Sequence, residues 1–310
     1  MTTTLIDPEL DADRLRPDPE VDDLLVGAID MHSHPGPSPF PRRINVAEAA
    51  QDAAGMGFRA IVAKSHHLSM QTEILALRAT VLADCPVDVF GGIAMNHTVG
   101  GLNPYAAELV LKLGGKIVWF PTISSPAHIK HHHDHPDMVF PQSTVPLREQ
   151  PPLRVVDGDG RLDPAALDVL DVIAGENAIL NCGHLGADEI DGLIPAAVSA
   201  GVTKIVVSHP SFIVGASPER VLDWVRLGAT IEHCAAMMRP TRPITQDVFD
   251  RYFASSGAAR TVLSSDLGQK GNELPVTVIR RIARQLLDNG YEAAVVRALT
   301  SGNAAALLYG

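Results

Sequence analysis

Short apolar runs rich in Val and Ile recur along this chain, and between them lie longer stretches in which Ala, Leu and Val are interspersed with charged positions. The first kind reads as buried strands and the second as amphipathic helices. The strands are "VGAIDMH" (26–32), "FRAIVAKS" (58–65), "VDVFGGIAM" (87–95), "KIVWFP" (116–121), "NAILNCG" (177–183), "TKIVVSH" (203–209), "GATIEHC" (228–234) and "RTVLSSD" (260–266). Helix starts are marked by Asn45 three residues before Glu48, by Asp163 before Pro164 and by Ser217 before Pro218. Glycines close the helices ahead of each strand, at Gly55 and Gly57, Gly114 and Gly115, Gly175, Gly201 and Gly228.

Eight strand–helix units in unbroken series predict a (β/α)8 TIM barrel in one domain, because an open doubly wound sheet usually stops at five or six strands. No fixed period appears, which excludes a solenoid. The expected division is an N-terminal lead-in over 1–24 and a barrel over 25–310. One connection breaks the short-loop rule: 121–162 is rich in Pro, His and Asp without a clear period, the mark of a lid or of an interface-forming excursion. It follows the fourth strand, on the side where barrel enzymes keep their sites. Within it, Asp157 to Gly160 suits a small hairpin turn.

Composition narrows the class. With 310 residues, 46% of them hydrophobic, the chain can bury a full core unaided. A net charge of −11 argues against nucleic acid and against an anionic membrane surface. The acidic N-terminal stretch has no secretion-signal pattern and no apolar run is long enough to span a bilayer, so a cytoplasmic protein is expected. Three distant cysteines do not form a disulfide framework.

The polar residues gather at the carboxyl ends of the strands: His32 and His34, Lys64 with His66 and His67, His184, His209, His233 and Asp266. In a barrel those ends converge on one mouth. The i, i+2 spacing of His32 and His34 turns both imidazoles the same way. Together with His184 and the Asp266 carboxylate they make a donor set suited to Zn²⁺ and acceptable to Mn²⁺, Fe²⁺ or Ni²⁺. A water held there would be activated, with Asp266 as its base. Only one of His66 and His67 should face the mouth. His233 is expected to touch substrate or orient a ligand, with Glu232 pointing outward. Arg42 and Arg43, after the first strand, suit an anionic small-molecule substrate. Cys182 is expected to pack, and the "KHHHDHPD" tract to be structural.

At this point the sequence resembles the amidohydrolase superfamily of metal-dependent barrels. "DMHSH" is similar to its first-strand motif, "NCGHLG" and "VVSHP" to its fifth- and sixth-strand histidines, "LSSDLG" to its eighth-strand aspartate, and "LTSGNAAALLYG" to a terminal helix that many members carry, with Ala304 in place of a proline. "HSHPGPSPFPRR" with "AKSHH" resembles an uncharacterised subgroup known as a domain of unknown function. The resemblance implies that His32, His34 and Asp266 hold the more buried metal, while His184 and His209 bind a second ion or, in a one-ion site, ligate and assist the chemistry respectively. The bridging lysine or glutamate of the fourth strand in binuclear members has no counterpart here. Lys64 can bridge or act as an electrophile, or hold a substrate carboxylate, and the last role is favoured.

The expected activity is metal-dependent hydrolysis of an amide, cyclic imide or lactone, with non-oxidative decarboxylation as the alternative and phosphoester hydrolysis or a silent binding barrel behind it. Barrels of this kind often form homo-oligomers, though no stretch carries an interface signature.

Overall fold

The computed structural model describes residues 5–136, 140–239 and 242–310. Its strands are β1 (Ile29–Ser33), β2 (Ala60–Ala63), β3 (Asp88–Phe90), β4 (Gly92–Ala94), β5 (Ile117–Trp119), β6 (Ile179–Asn181), β7 (Lys204–Ser208), β8 (Thr230–Cys234) and β9 (Thr261–Ser264). They pair in parallel in the order β1-β2-β3 and β4 through β9. The third predicted strand is therefore two pieces, parted at Gly91. Gly92 is needed where the backbone pairs with β5, since a Cβ there would stand 2.0 Å from the Ile117 carbonyl oxygen. The ring closes between the last strand and the first: Asp266 N donates to His32 O and His34 N to Leu267 O, both at 2.7 Å.

The helix starts follow from local chemistry. Asn45 and Glu48 exchange a reciprocal capping box, and the Asp163 and Ser217 side chains accept from Ala165 N and Arg220 N. Gly57, Gly114, Gly201 and Gly228 take positive φ, while Asn177 rather than Gly175 does so before β6.

Inside the barrel, Ile29, Met31, Ala60, Val62, Ile117 and Trp119 pack with Ala304, Leu307 and Leu308 of the C-terminal helix (Asn303–Tyr309). That helix plugs the floor, so chemistry is left to the opposite mouth. The excursion contains a helix, Pro126–Asp134, capped by Ser125. Its histidine-rich sequence hides the apolar period. The turn at Asp157–Gly160 forms, with Asp157 N donating to Arg161 O at 2.8 Å. Val139 and its neighbours Asp137 and Met138 lie outside the described residues, so the end of the histidine tract does too. No described helix is long and apolar enough to cross a membrane.

Candidate metal centre

The site grows from a defect in β1. Its register with β2 shifts between Asp30 and Ser33, and Met31 and His32 both face the interior, which plain alternation forbids. Asp30, in regular register before the shift, alternates with the inward Ile29 and Met31, and its carboxylate accepts from Ser265 N at 2.9 Å and from Ser265 Oγ. His32 and His34 then point at one oxygen. Their Nε2 atoms stand 3.3 and 3.0 Å from Asp266 Oδ1, and His209 Nε2 stands 3.7 Å from Asp266 Oδ2. His209 and Asp266 both hold φ of 55°, in the left-handed region that non-glycine residues rarely occupy. That backbone turn at the ends of β7 and β9 aims both side chains into the mouth, a strain of the kind that collects at functional sites.

The two imidazoles are held from behind. His34 Nδ1 donates to the Lys64 carbonyl at 3.0 Å. His32 Nδ1 donates to Glu232 Oε2 at 3.0 Å, and that buried carboxylate also accepts from Ser208 Oγ and, at 2.7 Å, from Ser264 Oγ. Burial pushes Glu232 up, but His32 and the two hydroxyls outweigh it and hold the carboxyl at about 2. Burial likewise pushes Asp266 up, and the surrounding imidazoles hold it well below the usual carboxylate range.

With each Nδ1 engaged from behind, each ring turns its Nε2 toward Asp266. Burial keeps His34 neutral, with its pKa lowered to about 3. Both Nε2 atoms thus converge on one Asp266 oxygen, and Lys64 Nζ stands 3.0 Å from that of His32. Donors about 2.1 Å from a shared ion at tetrahedral angles stand about 3.4 Å apart, close to the spacings found. The residues fit a divalent ion. A second grouping, His32, His209 and Cys234, also lies within ligand range, yet Cys234 Sγ approaches His32 at Nδ1, 3.8 Å away. That nitrogen is already committed to Glu232, so the thiol sits behind the imidazole rather than beside its Nε2.

Above this floor is a cavity of about 110 Å³, lined by His34, His66, His184, His209 and Asp266 among others. His66 reaches it with Nδ1 fixed 2.9 Å from Thr122 Oγ1. His67 does not, its ring lying edge-on to Phe40. His184 stacks on His128 of the excursion, with their Nδ1 atoms 2.9 Å apart, and its ring centre is 5.3 Å from that of His209. It shares the cavity without joining the tight His32, His34 and Asp266 group. Lys64 is buried, with Nζ 3.0 Å from His32 Nε2 and 5.4 Å from the Trp119 ring centre. Burial lowers its pKa despite Asp266 and Glu232 nearby.

Three expectations are corrected. His233 turns away from the mouth and packs against Phe249, while Glu232 points in, because Thr230, Glu232 and Cys234 occupy the inward parity of β8. Arg43 also turns away: its guanidinium pairs with Asp11 and donates to Leu5 O and Asn272 O, tying the lead-in to the barrel. Arg42, one residue earlier on the opposite side of an extended segment, lines the cavity. Lys64 does not line it, so a direct hold on a substrate carboxylate finds no support. Sequence reasoning missed Glu232, His128, Arg239 and Arg242.

The fold matches solved structures of a probable dipeptidase, an amidohydrolase and a lactonase. The probable dipeptidase PvdM from Pseudomonas aeruginosa superposes with a TM-score of 0.66 at 12% identity, covering 94% of this chain and 97% of that one. An amidohydrolase from the same organism gives 0.63 at 12% identity over 93% and 98%, and the lactonase Lmo2620 from Listeria monocytogenes 0.58 at 13% over 92% and 95%. The chain itself belongs to DUF6282, a family of unknown function, whose model matches residues 27–232. No curated protein matches it.

Proposed function

We propose that this protein is a metal-dependent hydrolase that opens an amide, cyclic imide or lactone bond in a small molecule of the cytoplasm. The observation that carries the reading is the convergence of His32 Nε2 and His34 Nε2 on one carboxylate oxygen of Asp266, at 3.3 and 3.0 Å. The fold shared with a probable dipeptidase and a lactonase supports it.

His32, His34 and Asp266 would hold the ion, zinc by the chemistry of the donor set, with His184 and His209 facing the same space for a second ion or for substrate. A divalent ion supplies Lewis acidity, polarising the scissile carbonyl and lowering the pKa of water. Asp266 Oδ2 accepts the proton of the attacking water and passes it to the leaving nitrogen or oxygen. His209 lies beside Asp266 Oδ2 and, kept neutral with its pKa lowered to about 4 by burial, hydrogen-bonds the reacting oxygen. Lys64 Nζ, 3.0 Å from His32 Nε2, contacts the same nitrogen that would hold the ion and would yield it on binding. The excursion over 121–162 acts as a cover, with His132 and Phe140 on the cavity wall.

A second reading is favoured by Arg42 on that wall, which would press a carboxylate toward the ion for non-oxidative decarboxylation. The test is a panel of amides, imides, lactones and carboxylates run on zinc-loaded and chelated protein. The proposal expects carboxylate formation that stops on chelation and returns with zinc. Carbon dioxide release would replace it with the lyase, and turnover indifferent to chelation would overturn both.

A further inference from the structure

Elsewhere in this molecule, arginines with little exposed surface meet carboxylates: Arg14 with Asp52, Arg43 with Asp11, Arg280 with Asp22 and Arg281 with Glu273. Three arginines on one cavity do not. Arg42, Arg239 and Arg242 all line the space above the metal centre, and none has an ion pair among the described residues.

Their settings show why this is a built surface. Arg42 is largely buried beside the Phe40 ring, its charge centre 5.8 Å from the ring centre, and its Nε is buried with no hydrogen-bond partner. Arg239 is braced by its own loop, with Nε donating to Ala236 O at 3.0 Å and one terminal nitrogen to Asn272 Oδ1 at 2.9 Å. Glu273, which acts on it electrostatically, pairs with Arg281 at 2.9 Å. Arg242 follows in the same loop, its backbone N–H donating to Arg239 O at 2.8 Å. In a chain of net charge −11, three guanidiniums around a cavity whose only lining carboxylate among the described residues is Asp266 make a local excess of positive charge. Guanidinium forks match carboxylate and phosphate oxygens.

We propose that Arg42, Arg239 and Arg242 form the anion-binding half of the substrate site, and that the substrate is a small organic anion whose remote charged group sits among them while its scissile group reaches His34 and Asp266. The roles of His34 and Asp266 rest on the hydrolase reading, but the capture of the anion does not. A cavity of about 110 Å³, well under the roughly 300 to 1,000 Å³ of drug-sized sites, limits the ligand to a short molecule.

Calorimetric titration of the full chain, zinc-loaded and chelated, tests this with glutarate, inorganic phosphate and the uncharged glutaramide as probes. The expected result is that glutarate or phosphate binds about tenfold or more tightly than glutaramide. Arg42→Gln and Arg239→Gln should each weaken the anion by about tenfold or more, as loss of a charge-assisted hydrogen bond predicts, while zinc stoichiometry stays at the wild-type value. Arg242→Gln, whose guanidinium braces nothing, serves if the buried Arg42 variant fails to fold. Tighter glutarate assigns the remote group as a carboxylate and tighter phosphate as a phosphate, and either supports the proposal. Equal binding of glutaramide and both anions, or anion affinity unchanged in all three variants, overturns it. If zinc binds and the anions do not, this inference falls and the metal reading stands; if the anions bind and zinc does not, the reverse holds.

Discussion

On the cavity floor, His32 and His34 each have one ring nitrogen fixed from behind, to Glu232 and to the Lys64 carbonyl. On its wall, Arg42 and Arg242 have no ion pair among the described residues. The floor stands at the ends of parallel strands; the wall stands on the loops after β1 and β8. Such a division suits an enzyme whose chemistry is set by the strands and whose substrate choice is set by loops. It also shows that adjacent residues can be assigned to different tasks, as with Arg42 in the cavity and Arg43 clamping the lead-in.

The comparison breaks most sharply at the shared oxygen. Asp266→Ala removes the acceptor that His32 and His34 both face, and zinc binding should be lost outright, read as metal per chain after dialysis. Arg43→Ala lies on the other side of the division. Breaking its buried pair with Asp11 should cost about 3 to 5 kcal/mol in urea denaturation, with zinc affinity unchanged; a loss of zinc affinity would return Arg43 to the site. The pair also sets an acid response. Burial pushes the Asp11 carboxyl up, but Arg43 and backbone donors at Leu274 and Asp7 outweigh it and hold it below its ordinary value. Stability from this group is therefore complete above the unfolded pKa of about 4 and is lost as the pH falls through the lowered folded value. Arg43→Ala should flatten that part of the stability–pH curve.

Smaller effects sharpen the picture. Glu232→Gln keeps the shape behind His32 but removes the charge, and zinc affinity should fall about 10- to 100-fold, as for other groups that orient metal-bound histidines. His233→Leu should be nearly neutral: both ring nitrogens of His233 are buried without partners beside Phe249, so an apolar replacement leaves no polar group unsatisfied. Zinc affinity that dropped in this variant would show that His233 acts on the centre after all.

The barrel was legible because each strand is an apolar run ended by a glycine-marked helix, and the strand-end residues His32, His34, His209 and Asp266 came with it. What failed was parity. Strands covered on both faces are apolar on both, so "TIEHC" does not reveal that Glu232 faces in and His233 out, and the familiar ligand was chosen over the carboxylate. The register shift in β1 was equally hidden, although Asp30 stood at the same spacing as the two histidines. Arg239 and Arg242 were missed because a loop carries no period; only the folded chain brings them over the mouth. The helix at Pro126–Asp134 was masked by its histidines, and with it the pairing of His128 with His184.

The most direct test of the central claim is zinc-edge X-ray absorption on the zinc-loaded protein. The account predicts about one tightly held zinc per chain with only nitrogen and oxygen neighbours at about 2.0 to 2.2 Å, and loss of that signal in Asp266→Ala. A sulfur neighbour at about 2.3 Å would move the centre to Cys234, and a protein that holds no zinc would contradict the metal site altogether.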